Sequence, residues 1–241
     1  MNKNTPYGLI GDGRLANHLS HYFSLKKIPY QTWSRKKDTI SLSEKLKDCD
    51  VLLVAIKDNA IENLIQSQNL PDKKWIHFSG SLSTKLAQGF HPLASFGESL
   101  YDLSFYEKIP FVVEKGKYLF KDIFPHLKNN SYEISSQDKS LYHSLCVLSG
   151  NFTAILWQKT LSEMSHKLSL PKEALTPYMD SVFKQLSIDP QKALTGPLVR
   201  GDQQTIEKNL FALKGDPFEG VYKSFVTAYQ KSKEYQNNEC A

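Results

Sequence analysis

The sequence predicts an α/β fold: a doubly wound parallel sheet in its first half, followed by an all-helical second half. Three observations predict it. Short apolar runs alternate with amphipathic stretches as far as Ile134. One of the runs, VLLVAI at residues 51–56, is apolar throughout, as a strand covered on both faces reads. Beyond Gln137 the apolar residues step by four and three, the interval of amphipathic helices.

Taken in order, Tyr7–Ile10 reads as a strand. Arg14–Leu25 reads as a helix with Leu15, Leu19, Tyr22 and Phe23 on one side. Residues 28–33 form a second predicted strand, 42–47 a short helix, 51–56 a third strand and 61–66 a helix. Residues 75–78 are the next strand, Gly89 and Phe90 a short fifth, 109–114 another, 118–127 a helix and Ser131–Ile134 a last strand. Strand and helix taking turns is the pattern of parallel sheets. Then Leu141, Leu145, Leu148, Phe152 and Ile155, continuing to Leu168, mark a helix of about thirty residues. A second helix, around Leu175 to Leu186, carries Pro177, which should kink its first turns. A third follows Asp202 as its N-cap, and a fourth opens with a capping box from Asp216 to Glu219 with Pro217 at the first helical position. The predicted domains are therefore residues 1–136 and 137–241.

Composition narrows the function classes. With 241 residues, 40% of them hydrophobic and 23% charged, the chain can bury a core, which excludes a disordered or fibrous chain. A net charge of +5 with scattered Lys and Arg argues against a nucleic-acid groove. Cys49, Cys146 and Cys240 share no short spacing, so neither a metal site nor a disulfide framework is expected. Free thiols, no apolar leader in MNKNTPYGLI and no run of 18 apolar residues lead us to expect a cytoplasmic protein that does not bind membranes.

The first βα turn carries the strongest signal. Gly11-Asp12-Gly13-Arg14-Leu15-Ala16 fits G-x-G-x-x-G/A between a predicted strand and helix. In that pattern the first glycine makes the turn, the second lets a pyrophosphate approach the backbone, and the small third residue lets helix and strand pack closely. The helix N-terminus supplies unpaired N–H groups for the phosphates. The chain thus reads as Rossmann-like, with Gly11, Asp12, Gly13, Arg14 and Leu15 at a dinucleotide. The second strand selects which dinucleotide. Where an NAD site usually ends in Asp or Glu, this chain has Ser34, Arg35, Lys36 and Lys37, a set suited to a 2′-phosphate, so the expected cofactor is NADP(H). The other reading of this stretch is a solvated basic loop.

Further candidates fall where ligands of parallel sheets bind, beyond the carboxyl ends of strands. Ala55 to Asn59 (AIKDN), with Ala55 and Ile56 foremost, should border the cofactor. Ser79 and Gly80 should meet the nicotinamide or substrate, unless Ser79 is only an N-cap. His91 is a candidate acid or base. On the long helix, His143 and Ser149-Gly150-Asn151 interrupt the apolar pattern. Gly150 there costs about 1 kcal/mol relative to Ala, which close approach of a ligand or a neighbouring helix would offset. Asn151 suits a carboxamide or a substrate carbonyl. Arg200, in ALTGPLVRGD, is a candidate substrate ligand or an ion-pair partner of Asp202.

GLIGDGRLA, HFSGS (77–81), FHPLASF (90–96), SLYHSLCVLSGNF (140–152) and ALTGPLVRGD (193–202), in this order, resemble a family of Rossmann-like proteins of unknown function with a helical C-terminal domain. That family is grouped with pyrroline-5-carboxylate reductase, deazaflavin-dependent NADP reductases and the 3-hydroxyacid dehydrogenases. The resemblance implies a 6-phosphogluconate dehydrogenase-like helical domain and an NADP-dependent oxidoreductase with no substrate assigned. The 3-hydroxyacid dehydrogenases carry a lysine one turn after a glycine of the long helix. Here that place holds Ala154, and the nearest lysine is Lys159, which argues against a hydroxyacid. It leaves reduction of an imine or similar C=N bond, or of a carbonyl compound with chemistry run by His91 or His143. The expected catalytic set is Ser79, His91, His143, Asn151 and Arg200. The alternative is a catalytically inactive NADP-binding sensor. The expected partners are a small-molecule substrate and a second copy, paired through the helical domain.

Overall fold

The central strands are buried because helices cover them on both sides. In the computed structural model, which describes residues 5–68 and 70–239, seven strands form one sheet in the order β2-β1-β3-β4-β5-β6-β7. They are β1 (Tyr7–Ile10), β2 (Tyr30–Trp33), β3 (Val51–Val54), β4 (Lys74–His77), β5 (Gln88–Pro92), β6 (Phe111–Glu114) and β7 (Ser131–Ile134). Every residue of β1 and β3 is buried. Their side chains alternate between two cores: Leu9, Val51 and Leu53 face one, and Ile10, Leu52 and Val54 the other. The helices of this part are α1 (Arg14–Leu25), α2 (Leu42–Lys45), α3 (Asp58–Gln68), α4 (Leu103–Lys108) and α5 (Phe120–Ile123).

The chain divides into two compact units, residues 1–156 and 157–241. The change from alternating strands to helices alone comes after Ile134, and α6 (Lys139–Cys146) still belongs to the first unit. A π-helical turn, Val147–Phe152, joins α6 to α7 (Thr153–Leu168), so the long helix is continuous. The rest comprises α8 (Lys172–Ile188), α9 (Pro197–Arg200), α10 (Gln203–Ala212) and α11 (Glu219–Glu239). In the second unit, Trp157 packs edge-on against Tyr178 at 5.5 Å. Among the described residues no helix is long and apolar enough to cross a membrane. Nor is there a His/Cys/Asp/Glu group that could hold a metal. Cys240 lies outside the described residues.

Several expectations need correction. The sheet is mixed: β6 runs antiparallel to β5, because a buried apolar strand reads the same in either direction. Two strands begin two residues later than expected, at Tyr30 and Phe111, each just after a proline (Pro29, Pro110) that cannot donate to the ladder. The helix expected over 118–127 is only α5, since Phe124 precedes Pro125 and leaves the helical region at φ −121°. Helix α4 escaped the periodicity because six residues hold too few apolar positions; Asp102 caps it through Phe105 N–H at 2.8 Å. Asp202 caps α10 as expected, accepting from Thr205 N–H at 3.0 Å. The capping box of α11 does not form. Asp216 accepts from Phe218 N–H while Lys159 holds its other oxygen, and Glu219 reaches Gly215 N–H instead.

Candidate functional site

The strand order reverses between β1 and β3, which leaves a crevice at their carboxyl ends. A cleft of about 690 Å³ opens there, and Gly11, Asp12, Ser34, Arg35, Lys36 and Ile56 are in its wall. The two turn glycines differ in what they answer to. Gly11 has φ +130°, and a Cβ there would collide with the Ala55 carbonyl oxygen, so the fold itself demands glycine. Gly13 has an ordinary extended backbone, φ −80°, and nothing lies within 4 Å of where its Cβ would stand. Neither conformation nor packing requires a glycine there; open space above a backbone does suit a bound pyrophosphate. Gly13 is the N-cap of α1, with no side-chain cap and no acidic residue in the first turn, so the helix end is free to meet an anion. Arg14 flanks it, largely exposed, with Glu98 3.9 Å away, and Leu15 packs its side chain on the core.

The loop after β2 forms one side of this cleft. Ser34 is buried and its Oγ has no hydrogen-bond partner among the described residues. A buried hydroxyl without a partner carries a cost, which a phosphate oxygen would remove. Arg35 and Lys36 stand beside it, and no ion pair among the described residues involves either. Asp38, a carboxylate of the same loop, turns back to accept Ser34 N–H at 2.7 Å and pairs with Lys45, which keeps its carboxyl below the usual range. It is a loop brace and is not aimed at a ribose. The donor set therefore fits a dinucleotide with a 2′-phosphate.

A second cluster lies over the ends of β4 and β5. Ser79 Oγ donates to Asp58 Oδ2 and accepts from Leu82 N–H at 2.9 Å, so its hydroxyl is fully engaged in holding the loop. Gly80 lies under two histidines: a Cβ there would stand 2.7 Å from His143 Cδ2 and 3.2 Å from His91 Nε2. The rings of His91 and His143 are 6.4 Å apart. His91 Nδ1 is 2.6 Å from Tyr142 Oη. Burial pushes the His91 pKa down to about 4, with His143 and Lys139 adding to the effect, so the ring is neutral near pH 7. The Tyr142 phenol is pushed up by burial and by Cys146, and so stays protonated. Tyr142 O–H accordingly donates to His91 Nδ1, and the His91 proton sits on Nε2, towards Gly80.

A family profile described as "Domain of unknown function (DUF2520)" matches residues 109–229, half of the chain. The chain belongs to that family. The matched stretch contains SLYHSLCVLSGNF and ALTGPLVRGD, while the glycine turn, HFSGS and FHPLASF precede it. No curated protein matches the sequence. Among solved structures, a candidate NADP oxidoreductase from Bacteroides fragilis is 24% identical over 95% of this chain and 99% of its own, with a TM-score of 0.77. Pyrroline carboxylate reductase from Plasmodium falciparum, solved with NADP bound, is 16% identical over 96% and 99%, at 0.60. An imine reductase from Streptomyces aurantiacus is 12% identical over 95% of each chain, at 0.62. At these identities the likeness is one of fold: a Rossmann-type α/β half with a helical C-terminal part.

Of the residues expected from sequence, His91 and His143 are brought together around Gly80, though neither is in the wall of the cleft at the ends of β1 and β3. Asn151 is exposed on the π-helical turn, a distortion often found at functional sites. Among the described residues nothing lies within 4 Å of the Gly150 Cβ position. Arg200 is exposed in the second unit, at the end of α9, and makes no ion pair with Asp202 among the described residues. Lys159 is committed elsewhere, 2.5 Å from Asp216, 3.0 Å from Glu163 and over the Phe218 ring. Sequence reading missed His77, Glu114, Lys139 and Tyr142, and had Asp58 only as part of the segment 55–59. Lys139, Tyr142 and His143 fall at i, i+3 and i+4, a spacing visible in the sequence, but nothing there says that this helix face meets His91.

Proposed function

We propose that this protein is an NADP(H)-dependent oxidoreductase that reduces a small imine or carbonyl compound. The observation that carries the cofactor part is the buried Ser34 hydroxyl, without a partner among the described residues and beside Arg35 and Lys36, in a switch-point cleft whose second glycine has open space above it. The reductase part is supported by the His91–Tyr142 pair and by the fold shared with imine and pyrroline carboxylate reductases.

The dinucleotide, when bound, supplies hydride to the electrophilic carbon. This chain supplies position and the proton. Ser34, Arg35 and Lys36 would hold the 2′-phosphate, and the Gly13 backbone with the α1 N-terminus would hold the pyrophosphate. His91, neutral with its proton on Nε2, donates that proton to the nitrogen or oxygen that gains charge as the double bond is reduced. In the same step Tyr142 passes its proton to Nδ1, so the ring stays neutral throughout, and Tyr142 regains a proton from solvent. The balance is one hydride and one proton added across one double bond. Lys159, tied to Asp216 and Glu163, takes no part, which sets this site apart from lysine-dependent hydroxyacid chemistry.

The test is direct. Wild-type protein should bind NADPH at least ~10-fold more tightly than NADH, and Arg35→Ala should erase most of that preference. Loss of NADPH absorbance should follow addition of one member of a panel of cyclic imines and keto acids. Equal affinity for the two cofactors would refute the 2′-phosphate assignment. Tight NADPH binding with no turnover over the panel would instead support the inactive sensor.

A further inference from the structure

Beneath His91 and Tyr142 lies a buried ion pair that the chemistry above does not use. Lys139 Nζ stands 2.9 Å from Glu114 Oε2, their side chains 4% and 8% exposed. The other Glu114 oxygen accepts from Ser83 Oγ. His77, fully buried, accepts Ser79 N–H at Nδ1, so its own proton is on Nε2, where it has no partner among the described residues. These groups crowd onto Gly89. A Cβ there would collide with Lys139 Nζ and stand 3.1 Å from both Glu114 Oε2 and His77 Cε1.

Stability alone does not account for this arrangement. A buried ion pair is often no better than apolar side chains of the same volume, and a buried donor without an acceptor is a cost. Its place in the fold is the informative part. Lys139 is the first residue of α6, and Tyr142 and His143 follow on the same face, three and four residues on. Glu114 closes β6, paired antiparallel with β5, which carries Gly89 and His91. The pair thus joins the start of the helix that holds Tyr142 to the strands that hold His91.

We propose that Lys139 and Glu114 are positioning residues: their buried ion pair pins the first turn of α6 to the β5–β6 pair and so sets Tyr142 Oη on His91 Nδ1. The use of that setting rests on the reductase reading; the setting itself does not. The groups facing His91 are His143, Lys139 and Tyr142 from α6 and Asp58 from α3. After burial, His143 and Lys139 hold the ring unprotonated against the pull of Asp58. Donation from Tyr142 to Nδ1 favours the same neutral form. Losing the pair removes both of its charges, of which that of Lys139 is the one that bears on His91, and breaks that hydrogen bond, and both changes make His91 easier to protonate.

The experiment follows His91 by NMR titration of the full chain, histidine ring carbons labelled, with the signal assigned from His91→Asn. In the wild type it should gain its proton near pH 4. In Lys139→Met/Glu114→Leu it should do so at least about one pH unit higher. Gly89→Ala keeps both charges, pushes the end of the flexible Lys139 side chain off Glu114 and presses more gently on Glu114 Oε2 and His77, and should shift His91 the same way. Adding Tyr142→Phe to the double variant should shift it no further, because the bond is already lost. An unchanged titration in the folded double variant would overturn the proposal, as would a full extra shift from Tyr142→Phe on top of it. If the double variant fails to fold, an unchanged titration in Gly89→Ala does the same. NADPH titrated into the wild-type sample reports separately on the cofactor reading: no binding there would sink that reading and leave the His91 result standing.

Discussion

Ser34→Ala separates the cofactor site from the scaffold, because the two effects of the change have opposite signs. Ser34 Oγ is buried with no partner among the described residues, while the Ser34 backbone is fixed separately by Asp38 and by the turn bonds to its carbonyl. A buried hydroxyl without a partner costs about 1–3 kcal/mol, so deleting it should leave stability unchanged or raise it by up to that amount. With NADPH bound, the same hydroxyl would donate to the 2′-phosphate, a charge-assisted bond worth about 1.5–3 kcal/mol. Its loss should weaken NADPH about 10- to 150-fold, at ~1.4 kcal/mol per decade, and leave NADH nearly unchanged. Urea unfolding of the ligand-free protein and fluorescence titration with each cofactor measure the two effects on the same preparations. A variant that loses stability without ligand, or one that weakens NADH as much as NADPH, would refute the reasoning.

Gly11→Ala should cost about 2–5 kcal/mol in urea unfolding, from positive φ and the Ala55 carbonyl, whereas Gly13→Ala should stay within about 1 kcal/mol of wild type and still weaken NADPH at least ~10-fold. His77 and His91 both have pKa values depressed from 6.5 to about 4, so their contribution is complete above pH 6.5 and is lost as pH falls toward 4. At 1.36 kcal/mol per unit this approaches about 3 kcal/mol for each, and equal urea midpoints at pH 7.5 and 4.5 would contradict it. We also propose that a second copy covers the exposed stripe Leu141, Leu145, Leu148, Phe152 and Ile155, whose steps of four and three suit a helix–helix seam. Sedimentation should then give a dimer that Leu148→Glu dissociates, and a wild-type monomer at micromolar concentration would end the idea.

The sequence by itself determined the α/β class, the glycine turn and the basic end of β2, because each is written in neighbouring residues. Leu9 and Ile10 alternate between the two cores, Gly11 and Gly13 lie two residues apart, and Ser34 to Lys37 are contiguous. Prolines 29, 110 and 125 also set element ends locally, although their effect was not anticipated. Only the tertiary structure decided the direction of β6, since a buried apolar strand carries no sign of its orientation. Only it separated Gly11, glycine for the fold, from Gly13, glycine for an open surface, because the difference lies in Ala55, 44 residues away. The second cluster was least legible. Glu114 and Lys139 are 25 residues apart and His91 and Tyr142 are 51 apart, and side chains that far apart in sequence meet only because the sheet order and the start of α6 place them together.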